Sequence, residues 1–350
     1  MINIIFSVSL CSILLVIYFF AFRFLPGERW QVFASIPVQK NGNGRWKGVN
    51  ITYYGIILST GYVLAMMLFF ILASSAGETW ITIGGVSIGI MALFIPAAKI
   101  MAYIVERKKN TITVGGASFV MFIAAPWIIK CYNLLLAGNR LAEVNEIVII
   151  ASITAAYALG EGIGRLACIS FGCCYGKPVS QLPLLFREIF SRWNFVFTGN
   201  TKKISYHDHL DGSPVVPVQG ITAVLYTVTA CISVYLFLNG NYIVSFFVSL
   251  TVTQGWRFVS EFLRSDYRGS TKISAYQIMS LFLIFYYAVY IIIFNPLVPV
   301  EPVLYKGLVF IWDPALFLLI GAMWTGSLLY TGISSVTAAE ISLYVISDRI

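Results

Sequence analysis

The sequence predicts an all-α fold, a polytopic transmembrane helix bundle of about seven to nine helices with a small extramembrane cap. Three observations carry that expectation. Hydrophobic residues make up 59% of the 350-residue chain and charged residues 11%, against roughly 25% charged residues in soluble globular domains. Mean hydropathy is +0.83, too high for a compact fold whose surface meets water. Apolar runs of the ~20 residues needed to cross a ~30 Å hydrocarbon core recur along the chain. Helices are the expected form, because every backbone N–H and C=O must be paired within lipid.

In chain order the spans are expected at Ile4–Phe22, Ile51–Ser74, Ile83–Val105, Ile112–Leu136, Ile147–Phe171, Val218–Leu238, Tyr242–Leu263, Tyr276–Phe294 and Leu308–Gly332. The first has no basic n-region, and Leu10 before Cys11 fits a lipoprotein cleavage site poorly, so it reads as a retained span. Two intervening segments are long enough to have shape of their own. Arg23–Asn50 holds the turn-rich Asn41-Gly42-Asn43-Gly44, and Gly172–Pro217 mixes Pro, Gly, Asn, charged residues and both histidines. That second composition favours turns and irregular structure and marks the expected cap. The six cysteines, Cys11, Cys131, Cys168, Cys173, Cys174 and Cys231, do not form the pattern of a disulfide framework.

Threading nine spans puts nearly all loop Lys and Arg on one face, with loops 23–50, 106–111, 172–217 and 264–275, and leaves Arg140 and Lys306 opposite. By the positive-inside rule that face is cytoplasmic. Read functionally, it is a basic surface that gathers anionic phospholipid headgroups. Basic residues spread over membrane loops do not make a nucleic-acid surface.

Lys99, Lys130, Arg165 and Arg257 lie in or near spans, where an ionisable residue is a functional hypothesis by default. Arg257, Glu261 and Arg264 are spaced i, i+4, i+7 and share one helix face. Such a stripe suits a structural ion pair between helices, or a fork of guanidinium groups around a phosphate. Glu161 and Arg165 repeat the i, i+4 arrangement. Two such pairs favour a polar site within the bundle.

The segment from Gly162 to Pro178, Gly-Ile-Gly-Arg-Leu-Ala-Cys-Ile-Ser-Phe-Gly-Cys-Cys-Tyr-Gly-Lys-Pro, resembles the signature of the bacterial prolipoprotein diacylglyceryl transferases. Gly164, Arg165, Gly172 and Gly176 keep the frame of that signature. Cys168 and Phe171 stand where it has Asn, and Cys173 where it has Glu. Tyr53-Tyr54-Gly55 resembles the family's N-terminal Tyr-Gly, Gly115-Gly116 its Gly-Gly motif, and Pro217-Val218-Gln219 its Pro-x-Gln. Arg257-Phe258-Val259-Ser260-Glu261-Phe262-Leu263-Arg264, followed by Ser274, Gln277 and Ser280, resembles its Arg-Phe-x-x-Glu-Phe-x-Arg block. The resemblance covers about Ile51 to Phe294, a membrane domain with its cap at 172–217. Residues 1–50 add an N-terminal helix and loop, and 295–350 a C-terminal helix and tail.

The resemblance implies transfer of the diacylglyceryl group of phosphatidylglycerol, or a related anionic phospholipid, to the thiol of a lipobox cysteine in a prolipoprotein. A close paralogous lipid transfer, or a non-catalytic lipid-binding or lipid-moving protein, is the alternative. It implies a multi-pass protein of the bacterial inner membrane whose site faces the periplasm, against the positive-inside reading. Carried over residue by residue, Arg165 and Arg257 hold the lipid phosphate, and Glu261 orients Arg257. Tyr54 bonds the headgroup or ester, and Gly115 and Gly116 let backbone approach the substrate. Cys168, Cys173, Gly176, Gln219 and Arg264 line the same site. The family's catalytic His before Gly-Gly is Val114 here, so the arginines alone activate the thiol, or Cys173 takes an unusual role, or the activity is lost.

No cofactor is expected, and no metal. His207-Asp208-His209 with Asp211 has metal-ligating types, but short polar loops of this kind are commonly solvated. Cys168, Cys173 and Cys174 can be read as a metal or redox site. Their CxxxxCC spacing matches no standard zinc pattern, and buried cysteines commonly act as small apolar residues.

Overall fold

Twelve helices and five strands form among the described residues of the computed structural model, which are 1–106, 114–136, 144–265, 273–294 and 300–350. Arg107, Lys108, Lys109, Arg268 and Lys272 of the basic loops, and Arg140 of the opposite loop, lie outside them. Eight helices are long and apolar enough to cross a membrane: α1 (Ile2–Phe24), α2 (Tyr53–Ser75), α3 (Trp80–Glu106), α4 (Val114–Leu136), α5 (Glu146–Phe171), α8 (Val218–Leu238), α10 (Ala275–Phe294) and α12 (Pro314–Thr331). The protein is a helical, multi-pass membrane protein. Its polar helix α9 (Tyr242–Leu263) occupies the seventh expected span but falls outside those eight. Ser245, Ser249, Thr253, Gln254 and Ser260 of α9 are buried, so its polar face is turned inward.

Two sequence expectations are corrected. The span expected at Leu308–Gly332 is two helices, α11 (Leu304–Phe310) and α12. Asp313 Oδ1 accepts the Ala315 N–H at 2.8 Å, and Pro314 takes the first helical position, where its missing N–H costs nothing. The span expected from Ile51 begins instead at Tyr53, because Ile51 and Thr52 end a strand.

That strand belongs to a sheet the sequence did not announce. β1 (Val32–Lys40) and β2 (Arg45–Thr52) form a hairpin around Asn41-Gly42-Asn43-Gly44. Gly44 has φ +76°, and the Asn41 N–H donates to Arg45 O at 2.7 Å. β5 (Ile333–Ser342), from the C-terminal tail, pairs antiparallel with β2, with Val49 opposite Ala338. Within the cap lie the short helices α6 (Leu184–Arg192) and α7 (Lys203–Asp208) and the paired two-residue strands β3 (Phe195–Val196) and β4 (Pro214–Val215).

The chain divides into two compact units. One comprises Met1–Leu14, Leu64–Gly160 and Leu225–Phe317, and the other Leu15–Val63, Glu161–Val224 and Leu318–Ile350. In the first, Pro126 interrupts α4 and leaves Phe122 O without its helical donor. Tyr287 of α10 supplies one, its hydroxyl donating to Phe122 O at 2.6 Å, while Tyr286 donates to Ile123 O at 3.0 Å. A kinked apolar helix thus keeps its carbonyls paired, as lipid requires. In the second unit, a Cβ on Gly55 would stand 2.0 Å from Gly332 Cα. The Tyr-Gly motif is therefore a packing contact between α2 and the end of α12.

Candidate functional site

In the first unit the site residues come from α4, α9 and α10. Gly115 and Gly116 belong to α4. Arg257 comes from α9, and a Cβ on Gly115 would stand 1.7 Å from its Nη2 and 2.9 Å from its Cζ. The guanidinium therefore lies against bare backbone that only glycine leaves open. Its carbon is also 5.3 Å from the Tyr276 ring centroid, a cation–π contact. The Ser274…Gln277 motif is a capping box that starts α10. Ser274 Oγ accepts the Gln277 N–H at 3.2 Å, Gln277 Oε1 accepts the Ser274 N–H at 2.8 Å, and Gln277 Nε2 donates to Phe258 O at 3.0 Å. The residue after Arg257 is thus tied to the helix that supplies Tyr276. Glu261 and Arg264 are 7% and 8% exposed, with Arg264 Nη1 3.9 Å from Glu261 Oε1.

In the second unit the site residues gather where α5 ends. Arg165 Nη2 lies 2.5 Å from Glu161 Oε2, both largely buried. Gly172 then takes the left-handed conformation at φ +72°, and the Cys173 N–H donates to Cys168 O at 3.0 Å. This is a Schellman termination, a geometry that brings the fourth residue from the helix end and the second residue past the helix into contact. Those residues are Cys168 and Cys173. Cys174 is also left-handed, at φ +58°, and its turn brings in a third sulfur. The three Sγ atoms lie within 4.8 Å of one another. The sequence grouped these three cysteines by their CxxxxCC spacing, and the turn after α5 brings their sulfurs together.

Hydrogen bonds with Cys168 and then Cys174, with burial behind them, push the Cys173 thiol well above its ordinary value. A neutral thiol is not a base at neutral pH, which weighs against Cys173 in the place of the missing His. Gln219 donates from Nε2 to Cys173 O at 2.8 Å. Gly176 has no room for a side chain, since a Cβ would meet Val216 O at 2.5 Å. Tyr54 packs its ring on Phe171, centroids 5.7 Å apart.

The remaining polar groups have structural duties. Lys130 is caged by the rings of Phe294, Tyr290 and Trp127, with Nζ 3.1 Å from the first centroid, and Lys99 is exposed. Asp208 accepts from Tyr175 and lies 2.6 Å from His207 Nδ1, whereas Asp211 accepts from Gly199 N and Ser205 Oγ. The two aspartates are thus committed to different contacts. Lys202 is fully buried, and its Nζ donates to Ser170 O at 2.7 Å and Leu25 O at 3.1 Å.

Burial lowers Lys202 from 10.5 to about 8, partly opposed by Glu28. Between those values the unfolded chain holds a proton that the folded chain has lost, so stability rises with pH across that window. Thermal unfolding in detergent should show the apparent Tm of the wild type climbing from pH 8 toward 10 relative to Lys202→Met; parallel profiles would contradict the assignment.

The family model of prolipoprotein diacylglyceryl transferase matches residues 45–293, well over half the chain. The chain belongs to the prolipoprotein diacylglyceryl transferase family, enzymes of lipoprotein biosynthesis that act on lipid and prolipoprotein substrates in membranes. No curated protein matches it.

Proposed function

We propose that the chain transfers the diacylglyceryl group of phosphatidylglycerol to a lipobox cysteine thiol in the bacterial inner membrane, with its site facing the periplasm. The observation that supports this reading best is Arg257 lying on Gly115. A guanidinium there lies against backbone that only glycine leaves open, and its paired N–H donors favour an anion such as a lipid phosphate. In the displacement the acceptor sulfur forms a bond to the glycerol carbon while the carbon–oxygen bond to phosphate breaks. Glycerol phosphate departs with the electron pair, and charge grows on the phosphate oxygen. Fixed cationic donors at that oxygen lower the barrier.

Arg165 keeps the role carried over from the family, a guanidinium for phosphate oxygens held in place by Glu161. In the second unit Tyr54 hydrogen-bonds the headgroup or ester, and Gln219 and Gly176 shape the surface around it; in the first, Glu261 orients Arg257, and Gly116 and Arg264 line the surface beside it. The basic loops then serve an anionic substrate, which is why the periplasmic orientation is preferred to the positive-inside one. Val114 in the place of the family's His favours a second reading, a phospholipid-binding protein without turnover.

The test is purified protein in nanodiscs with phosphatidylglycerol and a lipobox peptide, following peptide mass and released glycerol phosphate together. A diacylglyceryl mass gain that requires the peptide cysteine is the expected result. Saturable lipid binding with no mass gain, beside an active family member, would replace the transferase with the second reading.

A further inference from the structure

We infer that Cys168, Cys173 and Cys174 form a three-thiolate zinc site whose open fourth position takes the acceptor thiol; this second part rests on the proposed transferase reading. The three sulfurs come from two constructions that act together. The helix termination at Gly172 joins Cys168 to Cys173, and the left-handed backbone at Cys174 turns the next side chain toward the same point. Consecutive side chains otherwise diverge. Left-handed backbone is uncommon outside glycine and asparagine, and it persists where the surroundings fix it. All three cysteines are partly accessible.

Tetrahedral zinc with sulfur at 2.3 Å sets its ligand atoms about 3.8 Å apart. Sulfurs within 4.8 Å of one another reach that spacing by small side-chain movements. Three soft sulfur donors select thiophilic ions such as Zn(II) over Mg(II) or Ca(II). Among the described residues no histidine or carboxylate joins the cluster. Three protein ligands with one position open is the arrangement of zinc that takes part in chemistry rather than in structure. Gln219, 1% exposed, holds the Cys173 carbonyl with Nε2, and its Oε1 has no partner among the described residues. A buried acceptor of this kind calls for a donor.

An ion in this place answers the chemical gap left by Val114. A thiol that coordinates Zn(II) gives its proton to solvent and remains as a thiolate. That sulfur then bonds the glycerol carbon, and the departing phosphate oxygen takes the electrons of the broken carbon–oxygen bond. No further base is needed at the thiol.

The experiment uses the full chain purified in detergent. Metal analysis should give one zinc per chain in the wild type and in Cys131→Ser, and a substoichiometric amount in Cys168→Ser and Cys174→Ser. Replacement by Co(II) should produce intense thiolate charge-transfer bands with the visible spectrum of a tetrahedral site. Adding a lipobox peptide should shift those bands, and its Cys→Ser counterpart should leave them unchanged. Reduced wild-type protein that takes up neither Zn(II) nor Co(II), that holds Cu(I) in preference, or that contains a disulfide among the three cysteines overturns the site. The wild-type cobalt spectrum decides the matter even where a variant fails to fold. Transfer at an undiminished rate in chelated, metal-free protein overturns the zinc role while the transferase reading stands. Zinc binding with no transfer leaves the site and removes the reaction.

Discussion

Arg257→Ala is expected to lower kcat for diacylglyceryl transfer by about 10³-fold, the loss typical of removing a fixed donor at a developing anion. The guanidinium is held on two sides, by the bare Cα of Gly115 and by the Tyr276 ring, so its orientation is set before substrate arrives. Arg257→Lys should recover little, because an ammonium cannot offer two parallel N–H groups to two phosphate oxygens. Lys130→Ala is the matching control. That cation is wrapped in aromatic rings, and its loss should leave transfer within a few-fold of wild type. Turnover counted per folded protein separates the outcomes; an Arg257→Ala enzyme near wild-type rate would remove the phosphate from this place.

The spans were legible because a membrane imposes one simple pattern, a long apolar run. Where that pattern met a local signal of another kind, the local signal won. Asp313-Pro314 starts a new helix inside an apolar stretch, and Thr52 yields its place in α2 to strand pairing with the C-terminal tail. β5 itself was not legible. Its partner in β2 lies at the other end of the sequence, and non-local pairing leaves no periodic trace in a short tail. The Arg257 site was legible as a list of residues but not as a contact, because nothing in the spacing joins the start of α4 to a turn of α9. The cysteine cluster lay between these cases. A glycine four residues past Cys168 is the mark of a Schellman end, and that mark predicts contact between Cys168 and Cys173. Cys174 was already grouped with them by spacing; only its left-handed backbone was beyond reach, since a non-glycine residue at positive φ follows no sequence rule.

Gly115→Ala is expected to cut transfer by about 10²-fold while leaving the fold intact, which separates this glycine from the others in the family motifs. The added Cβ would fall 1.7 Å from Arg257 Nη2, the far end of a flexible side chain. The guanidinium can move aside at little cost, but it then leaves its seat against the Gly115 backbone. A displacement of about 1 Å at a reacting centre is enough for a loss of this size. Alanine also suits a helix better than glycine, by up to about 1 kcal/mol in a helix interior, so thermal stability should hold or rise as activity falls. At Gly55 the obstacle is Gly332 Cα at 2.0 Å, backbone that cannot swing away, and alanine there should lower stability first. If Gly115→Ala retains full kcat at unchanged stability, the guanidinium works from more than one position, and its seat on Gly115 is packing rather than preparation for the phosphate.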